Sequence, residues 1–346
     1  MRTKRESRCQ WKQGGILGLL LLLMGIVAML SLGIGAGQVG IAETIRAVLG
    51  HVFGLASLKQ SHMTEAIIFE VRFPRIILSL LVGSALSVSG CAMQGLFKNP
   101  MASPSICGVS SGAAFGAAMV IVAGGSVSMI PLSAFLFSTL TVFLVYYIAR
   151  IKGRVPVGTL LLSGMAVSLF FSSLTSFMQY LSREEELREI VFWLMGGLWT
   201  ANWEKVWQVA FLIILGNLAI FFFAGELNIL SMGEDQAKDL GVNVEFSRKM
   251  VLVLTALVTG SSVAMCGIIG FVGLIIPHLS RMLVGPDHKV LIPASALAGA
   301  IFLCATDTLA RTLIAPSEIP IGIITSLCGV PFFIFLLRSR KGMGDF

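Results

Sequence analysis

Residues 231–243, SMGEDQAKDLGVN, gather Glu234, Asp235, Lys238 and Asp239 into a compact polar island. The island stands between two long apolar runs, residues 205–224 and 250–268. Each run is long enough to cross a bilayer, which takes about 20 apolar residues per helix. An island of charge between two such runs must therefore lie in water, where another molecule can read it.

Its local chemistry predicts structure. Ser231 and Glu234 have the S-x-x-E spacing of a capping box, which would start a short helix. Ala237, Asp239 and Leu240 continue that helix, and Gly241 suits the left-handed residue that ends it. Asn243 can then cap a second short segment running into FSRKM. The expectation is two short helices, within about 226–249, bending at Gly241.

The rest of the chain agrees with the flanking runs. Of its 346 residues, 56% are hydrophobic and only 12% are charged, and the mean hydropathy is +0.90. A soluble protein of this length needs more polar surface than that. The runs are too long and too uniformly apolar for the alternating strands of a membrane barrel. The fold class is all-α, a polytopic membrane protein in a single domain, residues 1–346. Ten spans are expected near 14–33, 75–94, 106–123, 129–149, 157–179, 205–224, 250–268, 270–284, 290–311 and 320–337. The first follows a basic flank and could be a signal peptide, but its length favours an uncleaved helix. The eighth is short and rich in glycine.

The net charge of +7 is topogenic. With the N-terminus inside, seventeen of the 25 Lys and Arg residues, among them Arg2, Lys152 and Arg154, fall in cytoplasmic segments. Eight, including Lys59, fall outside. Ten spans then bring the basic C-terminus back to the cytoplasm, and the island lies there too. No basic patch with interleaved aromatic residues points to nucleic acid.

Two regions are broken by Gly and Pro: residues 89–116, SGCAMQGLFKNPMASPSICGVSSGAAFG, and residues 266–286, CGIIGFVGLIIPHLSRMLVGP. They follow spans two and seven, which run in opposite directions. Such breaks at matching positions mark inverted repeats and line substrate paths; Met93, Gln94, Asn99 and Ser103 are the candidates. Gly108, Gly112 and Gly116 are spaced for close helix approach.

Several classes lose support. No G-x-x-x-x-G-K-[ST] motif provides a nucleotide site. Neither HExxH nor GxSxG occurs, and the likelier role of His278 is structural. The six cysteines show no CxxC pair, the four histidines are scattered, and neither metal nor cofactor is expected. Asp307 is the clear acidic residue within a span, spaced to pair with Arg311; an ion-coupled secondary transporter would need more such groups near the midplane. Outside, SREEELREI reads as an amphipathic surface helix with Leu187 and Ile190 inward.

Four blocks carry a family resemblance: VRFPRIILSLLVGSALSVSGCAMQGLFKNPMASPSICGVSSGA, MGEDQAKDLGVN, GIIGFVGLIIPHLSRMLVGPDHKVLIP and EIPIGIITSLCGVPFFIFLL. In order and spacing they resemble the permease subunits of iron–siderophore, haem and vitamin B12 ABC importers, the FecCD family. The resemblance implies a type II ABC importer permease in the cytoplasmic membrane of a bacterium or archaeon. It further implies a homodimer, two cytoplasmic ATP-binding subunits and a periplasmic or lipid-anchored solute-binding protein. The chain itself would catalyse nothing. Ser231, Glu234, Asp235, Ala237, Asp239, Leu240, Gly241 and Asn243 would couple to the ATPases. Arg72, Arg75 and Arg311 match the outward arginines that meet the binding protein. A ferric siderophore is the expected cargo, with haem or cobalamin as alternatives.

Overall fold

The computed structural model describes residues 4–35, 40–53, 61–151 and 155–341. The topogenic Arg2, Lys59, Lys152 and Arg154 lie outside them. In chain order the α-helices are α1 (Lys4–Gly33), α2 (Ile41–Phe53), α3 (His62–Ala66), α4 (Phe73–Phe97), α5 (Val109–Val122), α6 (Met129–Ala149), α7 (Val157–Leu181), α8 (Glu184–Met195), α9 (Trp203–Phe222), α10 (Ala224–Met232), α11 (Glu234–Asp239), α12 (Val244–Cys266), α13 (Val272–Val284), α14 (His288–Ala310) and α15 (Ile321–Lys341).

Among the described residues, seven helical stretches are long and apolar enough to cross a membrane. Three shorter apolar helices, α5, α13 and α15 over Ile321–Ile334, complete the ten expected positions. Span two starts earlier than expected. A π-helical segment, Ile67–Arg72, joins α3 to α4 without a break, and the combined helix runs from His62 to Phe97. Tertiary contact explains the extension: Ile68 is fully buried, and Arg72 donates to the Leu32 carbonyl at 2.6 Å.

The combined helix ending in α4 is the axis of the bundle, with 78% of its most apolar window buried. α12 and α14 pack around it, whereas α1, α6, α7 and α9 present mostly exposed faces. Small residues set this order, because helices in lipid associate by close packing rather than by hydrophobic burial. A Cβ on Gly90 would stand 1.8 Å from the Gly273 carbonyl oxygen, and one on Gly83 would stand 2.3 Å from that of Gly299. On the other flank, a Cβ on Gly112 would meet the Thr141 hydroxyl at 2.1 Å, so α5 and α6 touch along the expected glycine ridge.

The two broken regions yield half-length helices. α5 begins beside Thr141 and Ser168, midway along α6 and α7; α13 begins beside Leu86 and Gly90, midway along α4. Irregular backbone at that depth is tolerable only where protein covers it or a cavity opens onto it. The two breaks meet at a pocket lined by Ser103, Ser105, Ser110, Gly270, Phe271 and Leu274, among others.

Candidate functional site

The polar island forms α11 and its two joints. The C-terminal joint is as expected. Gly241 has φ +80°. Its N–H donates to the Lys238 carbonyl at 2.9 Å, and the Val242 N–H to the Ala237 carbonyl at 2.9 Å, which together make a Schellman motif. Asn243 Oδ1 accepts from the Phe246 N–H at 3.1 Å. What Asn243 caps is α12 itself, not a second short helix. The apolar period resumes at Val244, so the segment is the first turn of a span.

The N-terminal joint corrects the capping box. α11 starts at Glu234 after Gly233, and no side chain caps it. Ser231 belongs to the last turn of α10 and donates to the Asn228 carbonyl at 2.6 Å. Glu234 turns to Arg248 instead. A helical Ser231 lacks the extended backbone of a cap, and a buried guanidinium outcompetes a backbone N–H for the carboxylate.

Arg248 is the hub of this end. It is buried on α12, pairs with Glu234, reaches Glu245 at 3.2 Å and donates to the Val155 carbonyl at 2.9 Å, just before α7. Ser247 donates to Glu226 on α10. A second tie uses Asn228, whose amide donates to Asp287 at 2.6 Å and whose oxygen accepts from the His288 N–H at 2.8 Å. The His288 ring lies against Gly95, near the end of α4. Arg248 and Asn228 carry no motif, and sequence reading missed both.

α11 is anchored through Ala237, which is fully buried. Around that anchor it exposes Asp235 and Asp239, and its flanking joints expose two large apolar side chains, Met232 at 68% and Leu240 at 62%. Apolar residues in water beside acids mark a contact surface.

At the opposite end the three arginines come together, but they do not face outward. Arg72, Arg75 and Arg311 are 5%, 8% and 5% exposed. Arg75 grips Asp307 through Nε and Nη2 at 2.8–3.0 Å and Glu318 through Nη1 and Nη2 at 2.9 Å. Arg311 donates to the Ser31 carbonyl and hydroxyl and stands 3.8 Å from Asp307. The chief partner of Asp307 is therefore Arg75 on a neighbouring helix, not Arg311 one turn away. Three guanidiniums at the ends of apolar helices must find acceptors within the protein, and helix ends, with their spare carbonyls, supply them.

The pathway candidates separate. Ser103 lines the pocket between the breaks. Met93 and Gln94 are 1% and 2% exposed, Met93 against Thr255 and Gln94 donating to the Leu274 carbonyl at 3.0 Å. They lock α4 to α12 and α13, because the small residues that let α4 into the centre also bury its far turns. Asn99 is exposed and holds the tight turn at Met101. Ser105, Ser110 and Phe271 line the pocket and were not singled out; only their place in the broken segments could have marked them. His278 sits half-buried beside Pro100, Phe332 and Phe333. On α8, Ile190 is buried as expected, but Leu187 is exposed at 39%. Among the described residues no three His, Cys, Asp or Glu side chains converge as a metal site.

A helical bundle with half-spans meeting at mid-depth, and a short polar helix at one end, is an architecture suited to a membrane permease. The comparisons agree. The model of the FecCD transport family matches residues 21–339, and the chain belongs to that family of ABC importer permease subunits. It is 44% identical over 278 residues to the cobalamin import system permease protein BtuC of Halobacterium salinarum, covering 80% of this chain and 74% of that one. It is 37% identical to the hemin transport system permease protein HmuU of Yersinia pestis (94% and 96% covered) and 40% identical to the molybdate import system permease protein MolB of Haemophilus influenzae (95% and 96%). A solved inward-facing conformation of an ABC transporter assigned to the metal-chelate type superposes with TM-score 0.84 at 40% identity, over 94% of this chain and 99% of that one.

Proposed function

We propose that the chain imports a metal chelate as a homodimer, with two ATP-binding subunits on the α11 side and a periplasmic or lipid-anchored solute-binding protein on the other. α11 and both termini then face the cytoplasm, in keeping with the excess of Lys and Arg there. The observation that carries this reading is α11 itself. It is short, stopped by a Schellman motif, held from behind by Ala237 and Arg248, and exposes acids and apolar side chains in front.

A partner that moves α11 moves more than the two helices it joins in sequence. Arg248 passes the displacement to α12 and, through the Val155 carbonyl, to the start of α7. Asn228 passes it to the start of α14 and, through His288, to the end of α4. The pocket between the breaks lies between α4 and α12, so a shift of these helices changes its width. Ser103, Ser105 and Ser110 offer hydroxyls to a hydrated chelate along that path.

At the other end, Arg72, Arg75 and Arg311 shape the surface on which the binding protein rests. Their role there is to hold α1, the π segment, α4 and α14 in register, with the half-exposed Glu318 at the rim. A ferric siderophore is the cargo we put first; cobalamin is the second reading, favoured by the 44% identity to a cobalamin permease.

The test is an ATPase assay in liposomes with the partner ATPase and a binding protein loaded in turn with ferric siderophore, cobalamin, haem and molybdate. Stimulation by one cargo supports the importer and names the chelate. Uptake that follows an ion gradient and ignores ATP overturns the reading.

A further inference from the structure

A groove on the flank of the bundle joins a polar mouth to an apolar trough. At the end of the bundle away from α11, a mouth is lined by Glu189, Trp193, Trp199, Thr200 and Lys205. Below it, between α6 and α9, runs an apolar trough with Leu132 and Phe135 on one wall, Val209 and Leu212 on the other, and Ser261 and Ala264 of α12 in its floor. Mouth and trough share Pro131, Ala264 and Met265, so they are one continuous groove. Small floor residues keep it open: α12 packs against both α6 and α9 and holds them apart.

The trough descends from Lys205 to Leu212, about 10 Å at the rise of an α-helix. Its outer rim carries Leu132 at 59% exposure, an apolar side chain that calls for an apolar cover. The mouth has a different chemistry. Lys205 Nζ donates to Thr200 Oγ1 at 2.6 Å and has no carboxylate within ion-pair distance among the described residues. Glu204, its neighbour, is taken up by Gln208 at 3.2 Å. Exposed Glu189 supplies one negative charge, beside the edge-to-face pair of Phe192 and Trp199, and Arg188 stacks on Phe192 at 5.9 Å. Tryptophan rings beside a cation are typical of headgroup depth.

A molecule that satisfies all of this carries an anion for Lys205, a cation for Glu189, and a hydrocarbon tail for the trough. We propose that the groove binds a phospholipid with an amino headgroup, its phosphate on Lys205 and Thr200, its ammonium at Glu189, and one acyl chain between α6 and α9. This site is independent of the cargo, and its test does not need transport.

The experiment is native mass spectrometry of the full chain, delipidated in detergent and supplied with phosphatidylethanolamine, phosphatidylglycerol or inorganic phosphate. The wild type retains one phosphatidylethanolamine per protomer. Lys205→Gln weakens retention about tenfold, the effect of losing one charge-assisted contact. Glu189→Gln removes the preference for phosphatidylethanolamine over phosphatidylglycerol. Leu212→Trp, on the half-buried wall of the trough, fills it and excludes both lipids while thermal stability holds. Equal retention in all variants overturns the site. So does full displacement of the lipid by inorganic phosphate, or closure of the groove by a second copy in cysteine cross-linking across α9.

Discussion

The pair Arg75–Asp307 shows how much depends on single residues in this bundle. Both are buried, and the fork of Arg75 spans two carboxylates on different elements. Removing one member leaves an uncompensated charge, which in buried pairs costs about 3–5 kcal/mol. Arg75→Leu should therefore lower the thermal midpoint in detergent sharply. The double variant Arg75→Leu/Asp307→Leu should recover a large part of the loss, because it removes the stranded charge as well. A double variant no more stable than the single one would show that Glu318, not Asp307, is the partner that matters. Close backbone contact is the other residue-scale constraint. At Gly90 an added methyl meets the Gly273 carbonyl with no side chain to yield. Gly90→Ala should force α4 and α13 apart and cost about 1–3 kcal/mol, the usual penalty of overpacking, seen as reduced yield of folded protein.

At the scale of the element, α11, the proposed lever, has its geometry set at Gly241. A side chain there meets nothing within 4 Å, so space is not the constraint; φ at +80° is. A residue with a Cβ loses roughly 1–2 kcal/mol in that conformation, and Asn loses least. Gly241→Val should leave the bundle's melting unchanged but abolish stimulation of the partner ATPase, whereas Gly241→Asn should keep most of it. Equal coupling in both variants would mean that the bend is not what transmits motion. The Schellman stop and the Asn243 cap were legible in sequence because both depend on short-range chemistry. The capping box at Ser231 was not, because the competing partner of Glu234 lies fourteen residues away on another helix.

For the whole molecule, the question is how the two ends communicate. The charged face of α11 is exposed and makes no contact that the bundle needs, so Asp235→Lys/Asp239→Lys should fold as the wild type does. It should weaken association with the ATPase, and the loss should shrink as salt screens the interface. Arg248→Met differs in kind: it keeps the docking surface and cuts the link to α12 and α7. ATP hydrolysis should persist in that variant while transport falls, measured as cargo moved per ATP. Transport at the wild-type ratio would remove Arg248 from the transmission route.

Sequence alone determined that the chain crosses a membrane about ten times as helices, because a bilayer demands long apolar runs with their backbone bonds closed internally. It also determined the family, the position of α11 and the two broken segments, since glycine, proline and capping residues act within a few positions of themselves. Tertiary structure decided what those pieces face. It buried Met93 and Gln94 between helices, and it drew Arg72, Arg75 and Arg311 inward onto Leu32, Asp307, Glu318 and Ser31. It also put Arg248 on Val155, ninety-three residues away. The physical reason is common to all of these. Burial and pairing in lipid depend on which helix ends meet, and helices brought together by small residues meet wherever their backbones can approach, a property no local pattern encodes.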